Sequence, residues 1–513
     1  MPLIEWMPVQ AGGINLYEDI SSLPGHQLVQ CDNYYPRGRR WRTIEGNSTF
    51  VSAAITPRTR HLVEFQEDDT AGGTVKNLIR FTSAPAIQEI GTGTSVALTG
   101  PAISSSQTLL WDTTVFTGIL LMANGSDNLM ETSDAATYIV TTGSPPTAPR
   151  YVEAWKNRVF LAGRSAAPMS IHYCADGNRN LWTGTDAGTE VITSPVGDFV
   201  TGIRSVENYL AIFTRRTVTA LIGDHPDDWS KRTLYEDHGC VSHRTIARVN
   251  GGLVYANNQG VWLLTADLKR IELSADIRDY WINRTSLSTR RNVSRGSFMH
   301  AVYDSTMDLN RYYIWVSEGT STAENVCWIF HFNSGQWTRM TSFMDSGQTC
   351  QASCLRENNN GNLNVYFAAG LDDNTTADKR VYSIDGAASF ASLTGGNIAS
   401  TLQTGILFGY MDQQNDIKGL SAPKVFHNFY PKLTTTTTAS TNSTMNFNVY
   451  AVDYAVQSAS RAVLLTSSTA DIVRPRVAIG RTGWGLQLTL TYTGQVAHSF
   501  MGGVFEYDEY RGL

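Results

Sequence analysis

The sequence predicts an all-β fold: a β-propeller body followed by a smaller β-sandwich or barrel-like domain. Three observations carry this. Charged residues fill only 17% of 513 positions, while 43 Gly, 22 Tyr, 19 Phe and 12 Trp accompany many Thr and Asn. Helix surfaces are built from Glu, Lys, Arg and Ala, so this composition favours strands and tight turns. Second, apolar runs meet short Asn/Gly turns and return as further apolar runs, the grammar of hairpins. Third, comparable strand centres fall at Phe116–Met122, Arg158–Ala162, Tyr209–Phe213, Leu253–Tyr255, Tyr312–Val316 and Val365–Ala368. Their spacing of roughly 40–60 residues matches a propeller blade better than any helical repeat. Six blades are favoured and seven are allowed.

Residues 1–57 lack a regular period and read as an N-terminal arm with a closing strand. Residues 58–392 form the propeller. Within it, Asn208–Phe213 turns through Thr214-Arg215-Arg216 into Thr217–Ile222, and Gly252–Ala256 turns through Asn257–Gly260 into Val261–Leu264. A third hairpin joins Val326–Phe332 to Gln336-Trp337-Thr338. One helix is expected over Ala275–Ile282, with Ser274 as N-cap and Ile277, Tyr280 and Trp281 as an apolar stripe that packs. The following segment to Arg295 carries Arg284, Arg290, Arg291 and Arg295 and reads as an exposed loop or surface helix. A composition shift near residues 390–400 opens the C-terminal domain, 393–513, with strands at Lys424–Leu433, Met445–Val452, Ala462–Leu465, Leu486–Tyr492 and Gly503–Tyr507. The polar run from Thr434 to Ser443 separates two of them.

A formal net charge of −6 argues against a protein whose main task is gripping phosphate. No run approaches the ~18–20 apolar residues of a membrane span, and Met1–Trp6 does not open like a secretory leader, so synthesis in the cytosol is expected. Six cysteines, Cys31, Cys174, Cys240, Cys327, Cys350 and Cys354, are too sparse for a disulfide framework and read as buried thiols. Neither the Cys350/Cys354 pair nor the cluster His238, Cys240 and His243 has a full set of metal ligands, and alternation on a strand would send neighbours to opposite faces. No cofactor is expected.

Catalytic signatures are missing: no Gly-x-Ser-x-Gly, no phosphate loop and no His-Glu-x-x-His. Gly91-Thr92-Gly93 lacks the third glycine of a dinucleotide fingerprint. The acidic clusters Glu67-Asp68-Asp69 and Asp227-Asp228 lie in turn chemistry, and Asp372-Asp373 lacks the closing Glu of a calcium loop. The densest basic string, Arg37, Arg39, Arg40 and Arg42 around Trp41, would touch DNA phosphates or stack on bases. It equally suits a hairpin that docks Tyr34, Tyr35 and Trp41 on the body. With Arg290, Arg291 and Arg295, these arginines are the candidate interface or channel residues.

Gly12-Gly13-Ile14-Asn15-Leu16, Leu23-Pro24-Gly25, Cys31–Tyr35 and Gly38–Arg42 resemble the start of the tail nozzle proteins of short-tailed bacteriophages, also called tail tubular protein B or tail hub proteins. Tyr151–Phe160, Gly239–Ser242, Leu253–Ala256, Gln259–Trp262 and Ile271–Ser274 are similar to that family's propeller core. The resemblance spans most of residues 10–390 as loose patterns. It implies a non-enzymatic virion protein, assembled in the host cytoplasm. Six copies would form a ring extending the DNA exit channel below the portal and adaptor, docking tail fibres, spikes or a needle and letting double-stranded DNA pass without tight binding. Two other readings compete: a propeller-type polysaccharide-degrading enzyme, and a receptor-binding module at the tail tip.

Overall fold

The computed structural model describes residues 3–6, 10–18, 20, 22–44, 46–50, 58–68, 74–91, 95–104, 109–194, 197–284, 289–306, 309–341, 349–358, 361–370, 380–387, 398–408, 424–435, 443–451, 456–465, 476–483, 485–494 and 498–509. The expected boundary at 390–400 falls largely outside them, as do Asp69, Thr92-Gly93 and Asp372-Asp373.

Seven four-stranded antiparallel meanders succeed one another. Blade 1 runs from Thr59–Asp68 to Ser95–Ala97, blade 2 from Asp112–Phe116 to Ile139–Val140, and blade 3 from Tyr151–Trp155 to Gly188–Val191. Blade 4 runs from Val200–Val206 to Ser230–Tyr235, blade 5 from Ala247–Val249 to Arg270–Glu272, and blade 6 from His300–Asp304 to Gln336–Met340. Blade 7 combines Thr349–Glu357, Leu363–Gly370 and Arg380–Ala387 with Gly46–Thr49 from the start of the chain. The count is therefore seven instead of the favoured six. Blade 1 was missed because its first hairpin, Thr59–Asp68 with Thr74–Thr82, carries Glu64, Glu67, Asp68 and Lys76 among its apolar positions.

The blades form because their sequences fit a pleated, two-sided surface. Every residue of Tyr209–Thr214 and Arg311–Val316 is buried, as a middle strand sandwiched between neighbouring blades requires. Tight turns supply the reversals: Lys156 and Asn157 take φ 47° and 55°, and Thr117 and Gly118 take 50° and 75°. Two successive positive φ values give the type I′ turn whose twist matches the strands it joins. Separate apolar clusters weld blade 1 to 2, 2 to 3, 3 to 4, 4 to 5 and 7 to 1. The first strand of each blade faces the axis, with the 3-10 turn His243–Thr245 set between blades 4 and 5, and Thr349–Glu357 meets Thr59–Asp68 to close the ring.

Residues before the closing strand do not stand apart as an arm. Leu3–Trp6, Tyr34–Arg37 and Arg40–Thr43 join His498–Glu509, Lys424–Thr435 and Val477–Gly483 in one sheet. Leu28–Asp32 joins Ile398–Phe408, Gly485–Gly494, Ser443–Ala451 and Val456–Leu465 in a second. Both chain ends thus build the C-terminal sandwich. Its core stacks Phe429 on Phe505 at 4.4 Å, and holds Trp41 6.0 Å from Trp6 and 5.9 Å from Phe500.

The sandwich and propeller share a sheet. Asp32 pairs in parallel with Arg339 on the last strand of blade 6, making one nine-stranded sheet. Arg339 forks onto Asp32 at 2.8 and 3.0 Å and reaches Glu318 at 3.4 Å. The Asn33 amide donates to the carbonyls of Thr341 and Ala399 and accepts from Thr341 N–H. Gly13 lies so close to blade 6 that a Cβ would sit 2.2 Å from the Trp337 carbonyl oxygen.

The predicted helix is shorter than expected: a 3-10 turn, Ala275–Ile277, then one α turn, Arg278–Trp281. Ser274 does not cap it, because its hydroxyl accepts the Val261 N–H at 3.0 Å and ties the turn to blade 5. Ile277, Tyr280 and Trp281 are buried as a packing stripe.

Candidate functional site: the propeller axis and its mouth

Charges expelled from the blade cores collect on the inner strands. Arg204, on the first strand of blade 4, lies 3.0 Å from Asp112 of blade 2 and 3.0 Å from Glu153 of blade 3. Arg248 of blade 5 also pairs with Glu153, and the Ser205 hydroxyl donates to the same carboxylate at 2.7 Å. Asp112 accepts the Val152 N–H at 2.8 Å and lies 2.7 Å from His243 Nε2. The two carboxylates are almost wholly covered, 2% exposed for Asp112 and 1% for Glu153. Burial opposes charge on Asp112, but Arg204 and His243 outweigh it and hold the carboxyl well below its ordinary range. Burial keeps His243 below the usual imidazole value despite Asp112.

The other side of the axis is equally self-contained. Glu324 is 3% exposed and lies 3.9 Å from Arg58 and 3.6 Å from Arg295. Arg244 donates to the Gln351 carbonyl at 2.9 Å, and burial lowers its pKa to about 10. Cys350 Sγ lies 3.4 Å from His300 Nε2. Burial pushes this thiol well up and this imidazole well down, so the pair carries neither a thiolate nor an imidazolium near neutrality. His61 contacts Thr113 at 3.0 Å and is pushed down to about 3 by burial, with Arg244 adding to the effect.

At one end of the axis the ring opens into a cavity of about 920 Å³ bounded by blades 2 to 5 and by the 3-10 segment Val293–Phe298. Arg150, Arg215, Arg216 and Arg244 line it; the first three are exposed. Asp112 is its lining carboxylate among the described residues.

The arginines singled out in the sequence lie on two separate elements. Arg37 and Arg40 face each other across a turn at Gly38, φ 62°, with Arg39 exposed at the tip and Arg42 half-buried opposite Ser499. Trp41 is fully buried between Trp6 and Phe500, so it offers no face to a base. Arg290, Arg291 and Arg295 belong to the link between blades 5 and 6. Arg291 is not on the surface: it is 1% exposed, stacks on Trp281 at 4.9 Å, reaches Asn258 Oδ1 at 3.2 Å, and is lowered to about 10 by burial. Arg295 lies 3.7 Å over Phe298 and pairs with Glu324. Arg290 is half-buried, and its carbonyl accepts the Gly319 N–H at 2.8 Å.

All six cysteines are buried and free, and no group of three or more metal-type ligands occurs among the described residues. A register shift between Cys350 and Ala352 sends Cys350 and Cys354 into different apolar clusters. The axial residues were missed in the sequence because their partners sit on other blades. The available signal was a lone charge inside an apolar strand, as with Glu153 in Tyr151–Trp155 and Arg204 in Val200–Val206.

No protein-family model and no curated protein matches the chain. Among solved structures it is similar to the Pan2 WD40 domain of Neurospora crassa, with 10% identity over 66% of this chain and 95% of that one, and a TM-score of 0.39. It is also similar to Raptor of Chaetomium thermophilum, with 12% identity over 69% of this chain and 29% of that one, and a TM-score of 0.41. The β-propeller stands on the seven sheets and their closed ring, independently of these likenesses.

Proposed function

We propose that the chain is a structural subunit of a short-tailed phage tail, a nozzle or hub protein whose copies form a ring that continues the DNA exit channel and docks the adaptor and the tail fibres, spikes or needle. The observation that carries this reading is the single nine-stranded sheet running from blade 6 into the sandwich. A sheet shared between two bodies resists hinge motion, which suits a conduit wall more than an enzyme that opens and closes. The segments from Gly12 to Arg42 that resemble nozzle proteins build this same junction. The axial carboxylates support a non-catalytic role, since Asp112 and Glu153 are each engaged by guanidinium groups of neighbouring blades. Fold by itself does not decide function.

The test is imaging of the assembled particle with this chain labelled. A six-fold ring of label below the adaptor supports the reading, and label elsewhere, or none, removes it. A reducing-sugar assay on host envelope glycans addresses the enzymatic alternative, and turnover would displace the structural reading.

A further inference from the structure

The cavity at the mouth of the propeller collects positive charge in a chain whose net charge is −6. Arg150 enters from the link between blades 2 and 3, Arg215 and Arg216 from the second turn of blade 4, and Arg244 from the turn between blades 4 and 5. The nearby carboxylates are already committed. Asp112 is spent on Arg204 and His243. Asp198 accepts the backbone N–H groups of Arg215 and Arg216 at 3.2 and 3.1 Å, and Asp127 accepts from Ser104 and Asn124. Next to the arginines stands an apolar surface that a plain anion site does not need. Phe199 is 39% exposed and carries the Arg215 guanidinium 5.7 Å from its ring centre.

We propose that this mouth binds an acidic peptide segment of a partner protein, its carboxylates met by Arg150, Arg215 and Arg216 and an apolar side chain seated on Phe199. A volume of about 920 Å³ is far larger than one phosphate or sulfate and suits several residues of extended chain. Guanidinium groups arrayed around the rim match carboxylates spaced along a peptide, and each takes a carboxylate by paired N–H donors. Ser126 and Asn258 add neutral polar groups of the kind a peptide backbone uses. The site stands on the cavity alone, independently of the tail assignment.

Fluorescence anisotropy with the full chain tests it, using a labelled peptide Asp-Glu-Phe-Glu-Asp-Phe, its amide counterpart Asn-Gln-Phe-Gln-Asn-Phe, a twenty-residue oligo-dT and inorganic phosphate as competitor. The acidic peptide is expected to bind at least tenfold tighter than its amide counterpart. R215A/R216A should weaken it by tenfold or more and F199A by a smaller factor, with binding falling as salt rises. R232A, on the outer strand of blade 4, should change nothing beyond twofold. All four positions are exposed, and an unchanged thermal transition verifies that each variant folds. Loss below twofold in R215A/R216A, equal loss in R232A, or equal affinity for the amide peptide overturns the proposal. Tighter binding of oligo-dT through the same arginines, or full displacement by millimolar phosphate, overturns the peptide in favour of a strand or a simple anion.

Discussion

Replacing Arg204 by methionine removes the cation that two buried carboxylates share while keeping much of the side-chain volume. Asp112 and Glu153 are 2% and 1% exposed, and Arg204 lies 3.0 Å from each. Breaking a buried pair by deleting one partner costs about 3–5 kcal/mol, because the remaining charge loses its compensation. Glu153 keeps the cation Arg248 and the Ser205 hydroxyl, whereas Asp112 keeps only His243, which burial holds below the usual imidazole value, so Asp112 bears most of the loss and about 4 kcal/mol is expected. At about 2 °C per kcal/mol for a large domain, the melting transition falls by about 8 °C at pH 8. The sign of the pH dependence follows. In the native protein the Asp112 carboxyl lies below its unfolded value, so its contribution is present above that value and lost as pH falls. In R204M the same carboxyl is raised by burial, so the deficit should shrink as pH falls from 8 to 5. A companion variant, R204M/D112N/E153Q, should recover at least half of the loss. Calorimetry at several pH values reads all three outcomes. A melting point within 2 °C of the parent at pH 8, or a deficit that grows on acidification, would refute the view that Arg204 stabilises these carboxylates.

The remaining predictions concern the joint, the thiols and the exposed hairpin. Glu318 is raised to about 7 by burial, with Arg339 opposing and Asp32 adding to the rise, so stability should decline as pH climbs from about 4.5 to 7. At about 1.4 kcal/mol per tenfold in proton affinity the penalty reaches roughly 3 kcal/mol above pH 7. E318Q should flatten that decline in denaturant titrations, and an unchanged slope would count against it. The six buried thiols should react negligibly with Ellman's reagent in the native protein and fully in denaturant; one or more fast native thiols would contradict their burial. R37E/R40E reverses two exposed charges on a hairpin tip, so the fold should hold within about 0.5 kcal/mol. If that tip docks on the adaptor, co-sedimentation with it should be lost; retained binding would remove the hairpin from the interface.

The blades were legible wherever apolar alternation met a turn of positive φ, as at Tyr151–Trp155 and Arg158–Arg164 around Lys156 and Asn157. Closure of the ring was not localised. Gly46–Thr49 has no apolar pattern, and Ser48 meets Ser383 across 335 positions of sequence. The axial network was opaque for a related reason: Arg248 and Glu153 are 95 positions apart, and only the circular arrangement of blades makes them neighbours. Within the basic candidates, Arg291 looked like a surface residue because a guanidinium stacked on a buried Trp281 leaves no periodic trace. Trp41 was readable both ways, since an aromatic flanked by arginines suits a base or a core, and the packing of Trp6 and Phe500 around it settles the choice.

The sandwich drawn from both chain ends has a consequence for synthesis. Thr43 Oγ1 accepts the His498 N–H across 455 positions, so the first strands leave the ribosome long before their partners exist. At about 5–20 residues per second the wait is roughly 25 to 90 s. During that interval Trp6, Tyr34, Tyr35 and Trp41, all buried in the finished protein, have no sheet to enter. The nascent chain therefore exposes these aromatic side chains until strands more than 400 positions later cover them, and the yield of folded protein should respond to elongation rate and to holding chaperones more than to the stability of any single blade.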